Sequence, residues 1–350
     1  MILFLSEYPL TEKQLKDGFF QRVINIDSYF ENEERVYLLI SFFNFFNKDV
    51  HKIDDKSSFI KCNFFLHFFF IYNLFKKSSL VYIQSLFNTL YTFLFILLVK
   101  NKYALDLHGV VIEELELTGK KKLSKIFSLI EGRIYRKLDY VVSVTDQLSN
   151  YYKRKYPNVK AKYFKYAILP NNLNTISQNE IVNNSNGEKV KIIYSGNLQK
   201  WQNVDLMLTV IKENLFYNFE YTILTGDKNG MIDLLRKHGL DDNEQIKVAS
   251  VHPSELQDYY QVAHYGFVLR DDIIVNNVAC PTKIIEYMCY GIIPIVLSDN
   301  IGDFKDLGYD RIDYKQINKE LKPKKSIVNM GIIDKLKQTN VFNLPLFDAV

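Results

Sequence analysis

The sequence predicts an α/β protein made of two parallel-sheet domains, and three observations carry that prediction. Apolar strand-like runs alternate with helical segments along the whole chain. One polar, asparagine-rich stretch, NLNTISQNEIVNNSNGEK, divides them into two series, and 350 residues suffice for two cores of ordinary size. In the segment from Leu269, LRDDIIVNNVACPTKIIEYMCYGIIPIVL, an extended apolar run ends in charge, a loop follows, and a helix lies between Pro281 and Gly291 before a new strand. Such a strand, loop, helix and strand form the repeating unit of a parallel sheet.

With 47% hydrophobic and 24% charged residues, the composition is that of a folded protein and excludes a disordered chain. Cys62, Cys280 and Cys289 form no C-x-x-C pair, which points to a reducing, cytoplasmic setting and no structural metal. The opening MILFLSEYPL lacks a basic n-region and a cleavage site and reads as a first strand, not a signal peptide. The most apolar run, Leu86 to Val99, is interrupted by Asn88 and Thr89 and falls short of the ~20 residues of a spanning helix. Net charge is +4, but residues 1–172 hold 25 basic against 17 acidic side chains. The basic first half suits peripheral contact with an anionic membrane, at the inner face of the cell membrane, or a phosphate-bearing acceptor.

In chain order, ILFLSEYPL is a buried strand and TEKQLKDGFFQRVINIDSYF a loop turning into a helix at Gly18. Strand-like VYLLISFF and SLVYIQS then alternate with the aromatic, helical FIKCNFFLHFFFIYNLFKK and LFNTLYTFLFILLVK. Phe64, Phe65, Phe68, Phe69 and Phe70, with Lys61, His67, Lys76 and Lys77 around them, read either as packing against the sheet or as a patch that dips into lipid. KYALDLHGVVIEEL is a strand ending at Asp106, after which His108 and Gly109 open a loop. A strand-end histidine is either structural or functional. Helix, strand YVVSV and helix follow, with Asp146 beside Thr145 as the expected cap. The lysines 120, 121, 122, 125, 153 and 155 and Arg154 are solvated helix faces or membrane-attracted ones; no nucleic-acid module accompanies them, so nucleic acid is not an expected partner.

AILPNN ends the first domain, giving expected boundaries of 1–172, a linker 173–189, a second domain 190–318 and a segment 319–350. The second domain opens with KIIYSG, where Gly196 lets the backbone approach a ligand before a helix starting near Asn203. FEYTILTGD, a helix through Met231 to His238, IKVAS, a helix through Leu256 to Val262, and HYGFVLR continue the alternation. In the helix from Thr282, Ile284, Ile285 and Met288 have core spacing. Lys283 in its first turn opposes the helix dipole by about 0.3–1 kcal/mol, a penalty that an anion at that end reverses. Glu286, at i+3, is a carboxylate able to accept two hydrogen bonds from a ribose diol. The two also read as an ordinary surface pair.

The segment around P-T-K-I-I-E-Y-M, with its small-residue turn and proline-bearing strand, resembles the donor-binding segment of the GT-B glycosyltransferases, in particular the large retaining family 4 that builds capsule, lipopolysaccharide and other bacterial surface glycans. KYALDLHGVVIEEL is similar to the D-x-H-G-x-x-x-E-E segment of the same enzymes. The resemblance implies a GT-B fold, two Rossmann-like domains facing across a cleft, with the first taking the acceptor and the second the nucleotide sugar. It implies transfer from a UDP- or GDP-sugar to a glycan or lipid-linked acceptor, with no metal and with retention of configuration. Glu286 then binds ribose; Gly196, Asn197, Lys200, Thr282, Lys283 and Arg270 hold the pyrophosphate; His108 and Asp271 attend the sugar, and residues 17–22, DGFFQR, line the donor and acceptor. A helix in 319–350 would cross back to the first domain.

Two departures qualify the pattern. A second glutamate usual eight positions before the ribose-binding one is Val278 here, leaving its role to Asp271 or Asp272. The G-R-L-x-x-x-K-G turn is altered, with Asn197 for the arginine, Lys200 two positions early and Gln202 at the lysine's place, so Arg270 is assigned the missing cation. These departures leave open a non-catalytic GT-B subunit that binds glycan or a partner transferase; a sugar-nucleotide epimerase is the other competitor. Neither a P-loop nor G-x-G-x-x-G occurs.

Overall fold

The structure is a computed structural model that describes residues 1–15, 18–167, 169, 189–216, 218–342 and 344. The chain forms two compact units, residues 1–168 with 340–350, and residues 169–339. The expected linker falls on 173–188, outside the described residues apart from residue 189, as does Asp17.

The first unit is built on eight strands, β1 Ile2–Leu5, β2 Arg35–Ser41, β3 Asp49–Lys52, β4 Ser57–Asn63, β5 Leu80–Gln84, β6 Tyr103–Leu107, β7 Tyr140–Ser143 and β8 Lys162–Lys165. They lie in the order β3-β4-β2-β1-β5-β6-β7-β8, with β3 antiparallel to β4 and every other pair parallel. Strands buried on both faces need apolar side chains at successive positions, which ILFL, LVYIQ and YVVS supply. The expected helix over Phe59 to Lys77 is corrected: residues 57–63 are β4, and the helix is Phe68–Lys77. Phe59, Ile60 and Cys62 are buried in register with β2, so sheet pairing overrides an apolar run whose period alone does not distinguish strand from helix. The helix Asp146–Lys155 is capped by Thr145, whose hydroxyl accepts from Leu148 N–H at 3.0 Å; Asp146 is its first residue. Phe342, near the chain end, packs on Phe30, Tyr82 and Tyr166 of this unit.

The second unit carries β9 Val190–Ser195, β10 Phe219–Leu224, β11 Ile246–Ala249, β12 Tyr265–Val268, β13 Ile293–Val296 and β14 Ile312–Asp313 in the order β11-β10-β9-β12-β13-β14, all parallel. Alternate side chains feed two apolar layers. Val190, Ile192, Tyr194, Tyr265 and Phe267 pack with the helix Val204–Glu213, whereas Ile193, Val268 and Val296 pack with the helix Thr282–Cys289. The latter helix ends in a Schellman motif, with Ile292 N–H donating to Tyr287 C=O at 2.9 Å and Gly291 N–H to Met288 C=O at 3.1 Å. Gly291 has φ +66°, a conformation that favours glycine.

The strand order reverses at β9 and β12. Residues just past the carboxyl ends of those two strands therefore flank a topological switch point, where open parallel sheets bind ligands. Gly196 and Arg270 are two such residues.

Candidate functional site

The helix Thr282–Cys289 is locked to β9 by a phenol. Tyr287 Oη accepts from Ser195 N–H at 3.0 Å, and its ring lies against Gly266 of β12, where a Cβ would come within 2.3 Å of the ring. That fixes the rotation of the helix and with it the direction of Lys283 and Glu286 on the first two turns.

Lys283 Nζ projects over Gly196: a Cβ there would lie 2.6 Å from the ammonium nitrogen. The ammonium sits 4.1 Å from the Tyr194 ring centroid and donates to Gln202 Oε1 at 3.1 Å. Burial, reinforced by the charge of Arg270 and opposed by Glu286, pushes the Lys283 pKa down to about 7. Arg270, just past β12, makes a long contact of 3.4 Å from Nη1 to Asn276 Oδ1, and among the described residues its buried Nε has no hydrogen-bond acceptor. Two partly buried basic groups thus stand within electrostatic reach of each other, Lys283 over Gly196. Burial raises the pKa of Glu286, while the Tyr260 hydroxyl, donating to Oε2 at 2.9 Å, and the charge of Lys283 oppose the rise.

Of the residues singled out in the sequence, Gly196, Arg270, Lys283 and Glu286 are brought together. Gly196 contributes room, since its N–H is already donated to Leu224 C=O at 2.9 Å. Asn197 sits in the same turn, its side chain accepting from Gln199 N–H and its carbonyl from Tyr194 Oη. Lys200 is exposed on the short 3₁₀ turn Lys200–Gln202 that also carries Gln202. Thr282 is the first residue of the helix, half-buried. Asp271 is exposed, and the Asp272 carboxylate accepts from Asn277 and Asn300, which hold its pKa below the usual value. Val278 is buried. Tyr194, Tyr260 and Asn276 carry no motif in the sequence; the hydroxyl of Tyr287, inside E-Y-M, is the one readable hint.

His108 belongs to the first unit. Its Nε2 lies 3.5 Å from Asp106 Oδ2 and 3.3 Å from Gln84 Nε2. Asp106 is fully buried and receives Arg22 through Nε at 2.9 Å and Nη2 at 2.7 Å, with Tyr82 Oη at 3.0 Å. Burial works to raise the Asp106 pKa, but the charges of Arg22 and His108 outweigh it and hold the carboxyl well below its usual range. Arg22 lies within the quoted DGFFQR, yet nothing local announced a partner 84 residues away. The two glutamates after the histidine differ: Glu113 is bound by Lys155 at 3.1 Å and by Tyr151, while Glu114 Oε1 lies where a Cβ on Gly109 would fall.

No family profile matches this chain. An uncharacterised glycosyltransferase of Methanocaldococcus jannaschii is 25% identical over 166 residues, 47% of this chain and 36% of that protein, so the match spans about a third of the archaeal relative. Among solved structures, Anabaena HepE in complex with UDP superposes with a TM-score of 0.59 at 11% identity, covering 96% of this chain and 90% of that one. WaaG, a glycosyltransferase involved in lipopolysaccharide biosynthesis, gives 0.58 at 10%, covering 97% and 95%. The lipopolysaccharide outer core galactosyltransferase WaaB gives 0.58 at 14%, covering 97% and 89%. The fold expected from the sequence resemblance is the fold observed: GT-B, with two Rossmann-like parallel-sheet bodies.

Proposed function

We propose that the chain is a glycosyltransferase that moves a sugar from a nucleoside diphosphate to a glycan or lipid-linked acceptor in bacterial surface-polysaccharide synthesis. The observation that carries this reading is the pair Arg270 and Lys283, two partly buried cations side by side at the switch point of the second sheet, with Glu286 one turn along the same helix. A buried like-charge pair is costly unless an anion joins it, and a pyrophosphate is the anion that a GT-B donor brings. Glu286 then accepts from the ribose hydroxyls.

The chemistry assigned to these residues is electrostatic. As the bond from the anomeric carbon to the diphosphate breaks, charge grows on the phosphate oxygens, where Lys283 and Arg270 stabilise it. The acceptor hydroxyl attacks the anomeric carbon and gives its proton to the departing phosphate on the same face, which retains configuration and needs no enzymatic base. His108 is assigned a hydrogen bond to the sugar, on the strength of the D-x-H-G resemblance. With two cations on the diphosphate, we infer no requirement for a metal. The setting is cytoplasmic, with peripheral contact at the inner face of the membrane through the basic first unit. One observation favours a non-catalytic subunit instead: buried Val278 leaves the sugar without the usual second carboxylate.

A thermal-shift panel of UDP, GDP, ADP and CMP, the diphosphates repeated in EDTA, tests the assignment. One diphosphate should raise the midpoint, by about 2.7 kcal/mol of stabilisation at a hundredfold excess over Kd, and EDTA should not diminish it. Absence of any shift would favour the non-catalytic subunit.

A further inference from the structure

We propose that the first unit docks on an anionic lipid surface through a preformed aromatic platform comprising Phe43, Phe46, Phe65, Leu66 and Phe69. These side chains are 79%, 63%, 66%, 64% and 79% exposed, a concentration of bare apolar surface in two neighbouring loops and the start of one helix. The proposal gives the peripheral contact inferred above its contact residues and requires nothing of the donor chemistry.

The platform is built, not frayed. Phe42 is its hub, 6.3 Å from Phe43, 4.9 Å from Phe64 and 5.6 Å from Phe65 between ring centroids, and Phe64 passes the contact to Phe68, itself 5.7 Å from Phe69. Buried Asn63 ties the two loops together: its Nδ2 donates to the carbonyls of Phe42 and Asn44 at 3.0 and 3.1 Å. Its Oδ1 accepts from the N–H groups of Phe65 and Leu66 at 3.0 and 3.2 Å. Ser41 Oγ accepts from Phe43 and Asn44 N–H. Between Phe43 and Phe46, Phe45 has φ +60°, a left-handed conformation costly for a bulky residue. Loop backbones satisfied and strained in this way hold phenylalanines outward, with little ordering left to lose on docking.

Charge selects the occupant. From residue 56 to residue 105 the chain has six lysines, at 56, 61, 76, 77, 100 and 102, and no aspartate or glutamate. Lys48 Nζ stands 4.2 Å from the ring centroid of Phe70, beside Phe69. The helix Phe93–Leu98, packed against Phe68–Lys77, exposes Leu94 and Leu98 and is followed by Lys100. Apolar rings with Lys48 beside Phe70, and with Lys76 and Lys77 two turns along the helix from Phe69 and Phe70, match an interface of acyl chains beneath anionic headgroups.

The test is flotation of the full chain with phosphatidylglycerol–phosphatidylcholine vesicles and with phosphatidylcholine alone. The wild type should float with the anionic vesicles. A Phe43→Ser, Phe65→Ser, Phe69→Ser variant should lose at least tenfold in partitioning while keeping its circular dichroism spectrum and its thermal shift with nucleoside diphosphate. A second variant, Lys48→Glu, Lys76→Glu, Lys77→Glu, should lose the preference for phosphatidylglycerol. Equal flotation of the triple serine variant, or no flotation of the wild type, overturns the proposal. So does wild-type self-association that the serine variant abolishes without any vesicle binding, which would give the platform to a second copy. Loss of the nucleotide shift in the serine variant would make these rings part of the folding core. A wild type that floats but shows no nucleotide shift leaves docking supported and the donor assignment refuted.

Discussion

Arg22 in the first unit and Arg270 in the second meet burial in opposite ways. Arg22 gives its donors to Asp106 and to the Tyr166 carbonyl, and the carboxylate collects Tyr82 and Gln84 besides, so the charge is closed within the unit. Arg270 keeps a buried Nε without an acceptor among the described residues, and Lys283, within its electrostatic reach, has the same sign. A cation that finds its anion in the chain is framework; Arg270 and Lys283, like beside like, are the pair to which a donor diphosphate is proposed to bind.

Breaking the closed network should have the largest effect. Arg22→Met leaves Asp106 buried without its arginine, and should cost about 3–5 kcal/mol in urea unfolding. A cost below about 1 kcal/mol would remove the pair from the framework. Lys283→Met sharpens the contrast: stability should hold or rise, while nucleoside diphosphate affinity falls at least tenfold, about 1.4 kcal/mol, by calorimetry. The pH dependence has a definite sign. With its folded pKa at about 7 and an unfolded value near ~10.4, Lys283 binds fewer protons folded than unfolded between those limits. Wild-type stability should therefore climb as pH rises from about 7, with Lys325, pushed down to about 8 by burial, adding to the climb at higher pH. Urea midpoints across pH 6 to 9 should show the first part of that climb missing in Lys283→Met. The smallest effect is expected at Glu286→Gln, a loss of about 1 kcal/mol in nucleoside diphosphate binding with inorganic pyrophosphate unaffected; equal losses for both would place Glu286 on the phosphates.

Legibility in the sequence followed the range of the interactions. The helix Thr282–Cys289 was readable because proline, the apolar spacing and Gly291 are all local, and the strands of the second unit stood out as short apolar runs between turns. The Arg22–Asp106 pair was not readable, because the sheet order that brings β6 to the helix Gly18–Ser28 is a tertiary fact. Phe59 to Lys77 misled because aromatic residues at every second and every third position satisfy both periods at once; pairing with β2 decided the first part and left Phe65 and Phe69 facing water. At the candidate site, Lys283, Glu286 and Gly196 stand out in the sequence by spacing and by family resemblance. The depressed Lys283 pKa depends on Arg270 and Tyr194, which reach it from strand ends distant in sequence.

The contact of Tyr287 with Gly266 limits how these residues can drift over descent. Any side chain at 266 collides with the ring, and a smaller residue at 287 leaves Ser195 N–H without its acceptor. Neither position can change first without loss. Across relatives that keep this arrangement, glycine on the strand and tyrosine on the helix should be inherited as a unit, and a lineage that has lost one should have rebuilt the carboxyl end of β9 around its replacement.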